Sequence, residues 1–100
     1  MNVNFNNKIL SFNGQPLKQN GTDMDFHTIV CQMLYTAGEK YTAEEKYRAY
    51  KIMQRIEADP EHVEINNEDA VLIKRIVGET LTAGAYGQLA DLLDGKGGES

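Results

Sequence analysis

One hundred residues, 41% of them apolar, with no Trp and a net charge of −5, suit a single domain built on one modest hydrophobic core. No segment offers the roughly 20 apolar residues of a membrane helix, and the acidic balance disfavours a nucleic-acid surface. Cys31 is the one cysteine, which excludes an internal disulfide and a CxxC zinc motif.

The start, "MNVNFNNKIL", has no basic region followed by an apolar stretch, so no leader peptide is expected and the cytoplasm is the expected compartment. Residues 1–20 read as a small β-hairpin or β-arm. "VNF" and "KILSF" are short apolar runs, and Asn13-Gly14 is a hairpin-turn dipeptide whose residues both tolerate positive φ. Pro16 fits a strand edge. A two-stranded hairpin is marginal alone and must pack on something.

Four helices follow over residues 25–94. The first carries Phe26, Ile29, Val30, Met33, Leu34 and Ala37 on one stripe, with Asp25 as N-cap and Gly38 as stop. The second opens on a Thr42–Glu45 capping box, buries Ala49, Ile52, Met53 and Ile56, and ends before Pro60. On its surface Glu44 and Arg48 have the i, i+4 spacing of a favourable pair. "VEI" (63–65) is a short extended link, after which Asn66 caps the third helix, with Asp69 in its first turn. Its stripe is Leu72, Ile73, Ile76 and Val77. The fourth places Ala85, Tyr86, Leu89, Leu92 and Leu93 inward and stops at Gly95. The expected organisation is a mainly α domain over 1–95 with a small N-terminal β-hairpin, then a flexible tail over 96–100.

Residues 59–69 hold Asp59, Glu61, Glu64, Glu68 and Asp69 with no Lys or Arg, an acidic excess equal to the net charge of the whole chain. A helix, an acidic segment, Val-Glu-Ile and a helix follow one another in the order of an EF-hand. Calcium ligation fails on two counts: counted from Asp59, the fifth position is Val63, and no Gly stands at the sixth. A metal-free helix–strand–helix shape remains, in which Met24-Asp25-Phe26 would pair with Val63-Glu64-Ile65. His27 and Cys31, four apart, share a helix face and could begin a zinc site, but a third ligand is needed, and only His62, Asp23 and Asp25 suggest themselves. The pair is therefore read as a boundary His beside a buried Cys, with no metal or cofactor assigned. No nucleophile–base set, GxSxG elbow or phosphate-binding glycine loop is present, so no catalytic residue is assigned either.

What is left is contact surface. Tyr47 and Tyr50 on the second helix have the apolar body and polar tip favoured at interfaces. With Asp59, Glu61, Glu64 and Glu68 they form the candidate interaction surface, suited to a basic protein partner. A β-arm edge would also allow pairing with a second copy.

The layout "NFNNKILSFNGQPL", "DFHTIVCQMLYT", "TAEEKYRAYKIMQRI", "VEINNEDAVLIKRIV", "GAYGQLADLLDG" resembles that of small proteins encoded by tailed bacteriophages and prophages. The resemblance spans residues 3–95 as a pattern of apolar positions and caps. It implies a bacterial-cytoplasmic setting and carries no functional residue. The expected function is a non-enzymatic interaction module, a phage accessory or assembly factor or a modulator of a host protein. The alternative is a degenerate EF-hand-like, ion-responsive module.

Overall fold

A computed structural model of the chain describes residues 1–95; the tail expected over 96–100 lies outside them. The architecture is mainly α with a small β part. Its helices are α1 (Phe26–Tyr35), α2 (Ala43–Ala58), α3 (Asn67–Gly78) and α4 (Ala83–Leu93), and its two-residue strands are β1 (Asn2–Val3), β2 (Lys18–Gln19), β3 (Thr22–Asp23) and β4 (Val63–Glu64). α1 packs chiefly on α2 and also on α3, which in turn touches α2 and α4. None of these helices is long and apolar enough to cross a membrane.

Each helix starts where a side-chain oxygen satisfies an amide the helix cannot. Asp25 accepts from the Thr28 N–H at 2.9 Å. Thr42 and Glu45 form a reciprocal capping box at 3.0 and 3.1 Å, and Asn66 and Asp69 form a second one. Thr82 caps α4. The apolar stripes face one core: Phe26, Val30 and Leu34, then Ala49, Ile52 and Ile56, then Leu72, Ile73 and Val77, then Leu89 and Leu93 are all buried. Gly95, at φ +81°, ends the last helix as expected. α1 ends earlier than Gly38, because the Ala37 N–H turns back to the Leu34 carbonyl at 3.4 Å in a tighter turn. Arg48 does not pair with Glu44; its guanidinium lies 3.7 Å from Glu68 on α3.

The N-terminal segment differs most from expectation. It is not an arm. Val3, Phe5 and Ile9 lie in the core, with Phe5 and Ile9 wholly excluded from water. β1 pairs antiparallel with β4, Asn2 opposite Glu64 and Val3 opposite Val63. The Phe5 N–H then donates to the Pro60 carbonyl, and the His27 N–H donates to the Phe5 carbonyl, both at 2.7 Å. The start of the chain thus lies between the two segments expected to pair with each other, residues 24–26 and 63–65. The EF-hand-like pairing is replaced by a three-way seam in which residues 2–7 satisfy backbone groups on both sides.

The Asn13-Gly14 turn does close a hairpin, with Leu10 and Pro16 bridged antiparallel across it, and a second, tighter hairpin follows. β2 and β3 pair antiparallel, Lys18 with Asp23 and Gln19 with Thr22. Between them Asn20 and Gly21 have φ of +55° and +81°, the double-positive turn that matches strand twist. A Cβ at Gly21 would meet nothing within 4 Å, so a substitution there is penalised by backbone strain alone. Gly21→Ala is expected to cost about 1 kcal/mol, read as a lowered urea midpoint at unchanged m-value.

Candidate functional site

The acidic connector between α2 and α3 is folded back on the protein, each carboxylate on a different partner. The Met1 amine lies 2.8 Å from Glu64, and Asp59 lies 3.4 Å from the His62 ring. Glu61 accepts from the Asn6 amide at 3.5 Å, and Glu68 faces Arg48. Asp69, only 4% exposed, lies 3.2 Å from Arg55 and closes the α3 capping box. Arg55 also donates to the Glu64 carbonyl at 2.6 Å, clamping β4 to the start of α3. Val63 is buried in the core, and the carboxylates do not converge on a point an ion would occupy. The concentration of charge in sequence is offset in part by Arg48 and Arg55 of α2 and by the Met1 amine.

Tyr47 and Tyr50 lie on the outer face of α2, 63% and 43% exposed, with ring centroids 6.5 Å apart. The Lys51 ammonium sits 5.9 Å from the Tyr47 ring centre, and the Tyr50 hydroxyl accepts from Gln54 at 2.9 Å. Tyr41, beside them in sequence, is buried, its hydroxyl donating to the Arg75 carbonyl at 3.3 Å. By helical spacing Tyr47 and Tyr50 point away from the core, whereas Arg48 and Arg55 lie on the flank that reaches α3. The tyrosines and the connector therefore form two surfaces instead of one. Glu68 instead joins Val71, Glu45, Arg48 and Arg75 around an open groove of about 420 Å³. That groove is rimmed by ion pairs of both signs, the Arg75–Glu45 pair at 2.6 Å among them, so it has no preference for a basic partner.

The most exposed apolar side chain is Phe12, at 103% of its reference surface. The Asn13-Gly14 signal does make a turn, but a three-residue one. The Gly14 N–H donates to the Ser11 carbonyl at 3.0 Å and the Ser11 N–H to the Gln15 carbonyl at 2.8 Å. Only Gly14 takes positive φ, at +85°. This is a type I turn closed by a left-handed glycine, and it moves Phe12 out of the strand into the loop. The Asn13 carboxamide oxygen accepts from the Ser11 hydroxyl and, at 3.2 Å, from the Gln15 N–H. Below the turn Gln88 on α4 meets both backbone groups of Leu10, accepting at 2.9 Å and donating at 2.7 Å. The side chain of Gln88 thus takes the place of a neighbouring strand, and the turn is held at its base and across its tip. The "KILSF" run hides this site, because periodicity counts Phe12 as a strand residue.

A second grouping joins α1 to α2. His27 and Cys31, on one face of α1, meet Glu57 in the last turn of α2, and one ligand-type atom from each lies within 4.8 Å of the other two. His27 Nε2 is 3.0 Å from the Glu57 carboxylate, and the Cys31 thiol lies 4.0 Å from the Met53 carbonyl, one helical turn before Glu57. Burial, reinforced by the Glu57 carboxylate, pushes the Cys31 thiol up to about 12. Such a thiol holds its proton, which argues against a nucleophile, since thiolate is the reactive form. Sequence spacing identifies His27 and Cys31 but not Glu57, which only tertiary packing brings to them. No family model, curated protein or solved structure matches the chain.

Proposed function

We propose that the chain is a non-enzymatic protein-interaction module whose anchor is Phe12, presented on a pre-ordered turn to an apolar pocket on a partner. The observation that carries this reading is a fully exposed phenyl ring on a loop that six hydrogen bonds hold in shape. Leaving a Phe in water forgoes about 1.5–3 kcal/mol of burial, and a rigid loop loses little entropy on docking. Buried aromatic anchors dominate many interfaces. Leu10, 40% exposed at the base of the same turn, extends the apolar contact. The acidic connector, being internally paired, is assigned a supporting role, its charge tuning encounter more than affinity. The pattern resemblance to small phage proteins suggests an accessory or assembly setting.

Phe12→Ala is expected to leave the folded state within about 0.5 kcal/mol of the parent, as for an ordinary surface change. It should weaken partner binding by about 2 kcal/mol, roughly 30-fold. Affinity capture from the native host, comparing the parent with Phe12→Ala and with charge reversal at Glu61 and Glu68, reads this directly. Equal recovery by the parent and Phe12→Ala would sink the proposal. Concentration-dependent sedimentation that disappears in Phe12→Ala would identify the partner as a second copy of the chain.

A further inference from the structure

We propose that His27, Cys31 and Glu57 bind one zinc ion, which staples α1 to α2. The donor set is one nitrogen, one sulfur and one carboxylate oxygen, the ligand types zinc accepts together. At ordinary zinc bond lengths and tetrahedral angles, three such donors stand about 3.3–3.6 Å apart. Here the His27–Glu57 distance is 3.0 Å, and no donor is more than 4.8 Å from either of the others, so small side-chain rotations close the set.

The backbone already holds the ligands. The i, i+4 spacing of His27 and Cys31 fixes both on one face of α1, and α1 against α2 is the most extensive helix contact in the protein. The side chains differ in access: Cys31 is buried at 6%, His27 is part-exposed, and Glu57 is open to water. That gradient gives an ion an entry path from the Glu57 side and leaves the fourth coordination position for water. Asp25, the other acid near the thiol, is committed to capping α1.

On binding, the Cys31 S–H bond breaks, its proton passes to solvent and the sulfur pair goes to zinc. The His27–Glu57 hydrogen bond opens. Nε2 gives up its proton to solvent while Nδ1 takes one up, so the imidazole stays neutral as its Nδ1–H tautomer, and Nε2 and one carboxylate oxygen each donate a pair to the same ion. No oxidant or reductant is involved. The product is a charge-neutral ligand set, one thiolate and one carboxylate against a divalent cation, and for that reason burial of Cys31 does not forbid it.

Cobalt(II) substitution tests the site optically. The reduced parent protein at micromolar concentration should bind one equivalent and show a thiolate-to-cobalt charge-transfer band, reversed by one equivalent of zinc. Cys31→Ser should abolish the band. Glu57→Gln, at an exposed position that leaves the core intact, and His27→Gln should each weaken zinc binding about 10- to 100-fold or more in a chelator competition. Zinc at a hundredfold excess over Kd should raise the melting temperature of the parent by about 10 °C or more. Absence of the band in folded parent protein would overturn the proposal. So would parent-like affinity in Cys31→Ser or Glu57→Gln, which would place the ion elsewhere or remove Glu57 from the set.

Discussion

Replacing Phe5 with alanine is expected to lower the stability of the protein by about 3–5 kcal/mol, the range for a buried Phe truncated in a core that cannot collapse around the gap. Phe5 is wholly excluded from water. Its backbone is tied on one side to Pro60 and on the other to His27, so neither the connector nor α1 is free to move into the vacated space. Against the 5–15 kcal/mol that holds a typical domain together, this is a large fraction. The melting temperature should fall by more than about 10 °C. The contrast with Phe12 makes the experiment informative: the same substitution seven residues later should leave the melting temperature nearly unchanged. If residues 1–10 were a loose arm, both variants would melt like the parent, and a near-neutral Phe5→Ala would remove the N-terminal segment from the core. Thermal and denaturant unfolding of the two variants, run side by side, decide the matter.

That contrast also shows which parts of the molecule were legible in the sequence. Helix starts are local events. Asp25, Thr42 and Asn66 each bond an amide three residues on, and the stripes that follow need only a helical repeat to be read. The strand pairings are not local. β1 meets β4 some sixty residues away, and a two-residue strand carries too little alternation to name its partner. The Asn-Gly signals were ambiguous for a physical reason. Asn13-Gly14 follows the apolar "KILSF" and attracts a hairpin reading. Asn20-Gly21, which does form the two-residue turn, is flanked by Lys18, Gln19, Thr22 and Asp23, with no apolar pattern to advertise it. The same limit governs the sites. Three of the acids expected to face a partner, Asp59, Glu64 and Glu68, are held by His62, the Met1 amine and Arg48. Glu57 joins His27 and Cys31 only once α2 lies against α1.

Asp69→Ala is the second change expected to have a large effect, about 2–3 kcal/mol, and it separates structure from recognition in the acidic connector. Asp69 is the buried member of the five. Its carboxylate accepts from the Asn66 N–H at 3.3 Å and faces Arg55, while its own N–H is held by the Asn66 side chain at 2.7 Å. Alanine removes a charge-assisted bond worth about 1.5–3 kcal/mol together with half of the capping box. It also leaves the Arg55 guanidinium, still bonded to the Glu64 carbonyl, without its counter-charge. Asp69→Asn preserves shape and an acceptor and should lose only the ionic part, a smaller cost than alanine. Arg55→Ala should share most of the loss, so a double-mutant cycle should return a coupling of about 0.5–3 kcal/mol. Glu61→Ala and Glu68→Ala, whose contacts are exposed, should each stay within about 0.5 kcal/mol of the parent. Equilibrium urea unfolding of the set measures all of these. A neutral Asp69→Ala with zero coupling would mean that the Arg55 clamp adds nothing to the fold and that the connector's charge is free for other use. The expected result assigns Asp69 to holding β4 against α3 and leaves Glu61 and Glu68 as the carboxylates that can change without cost to the fold, which makes them the right positions for charge reversal in binding experiments.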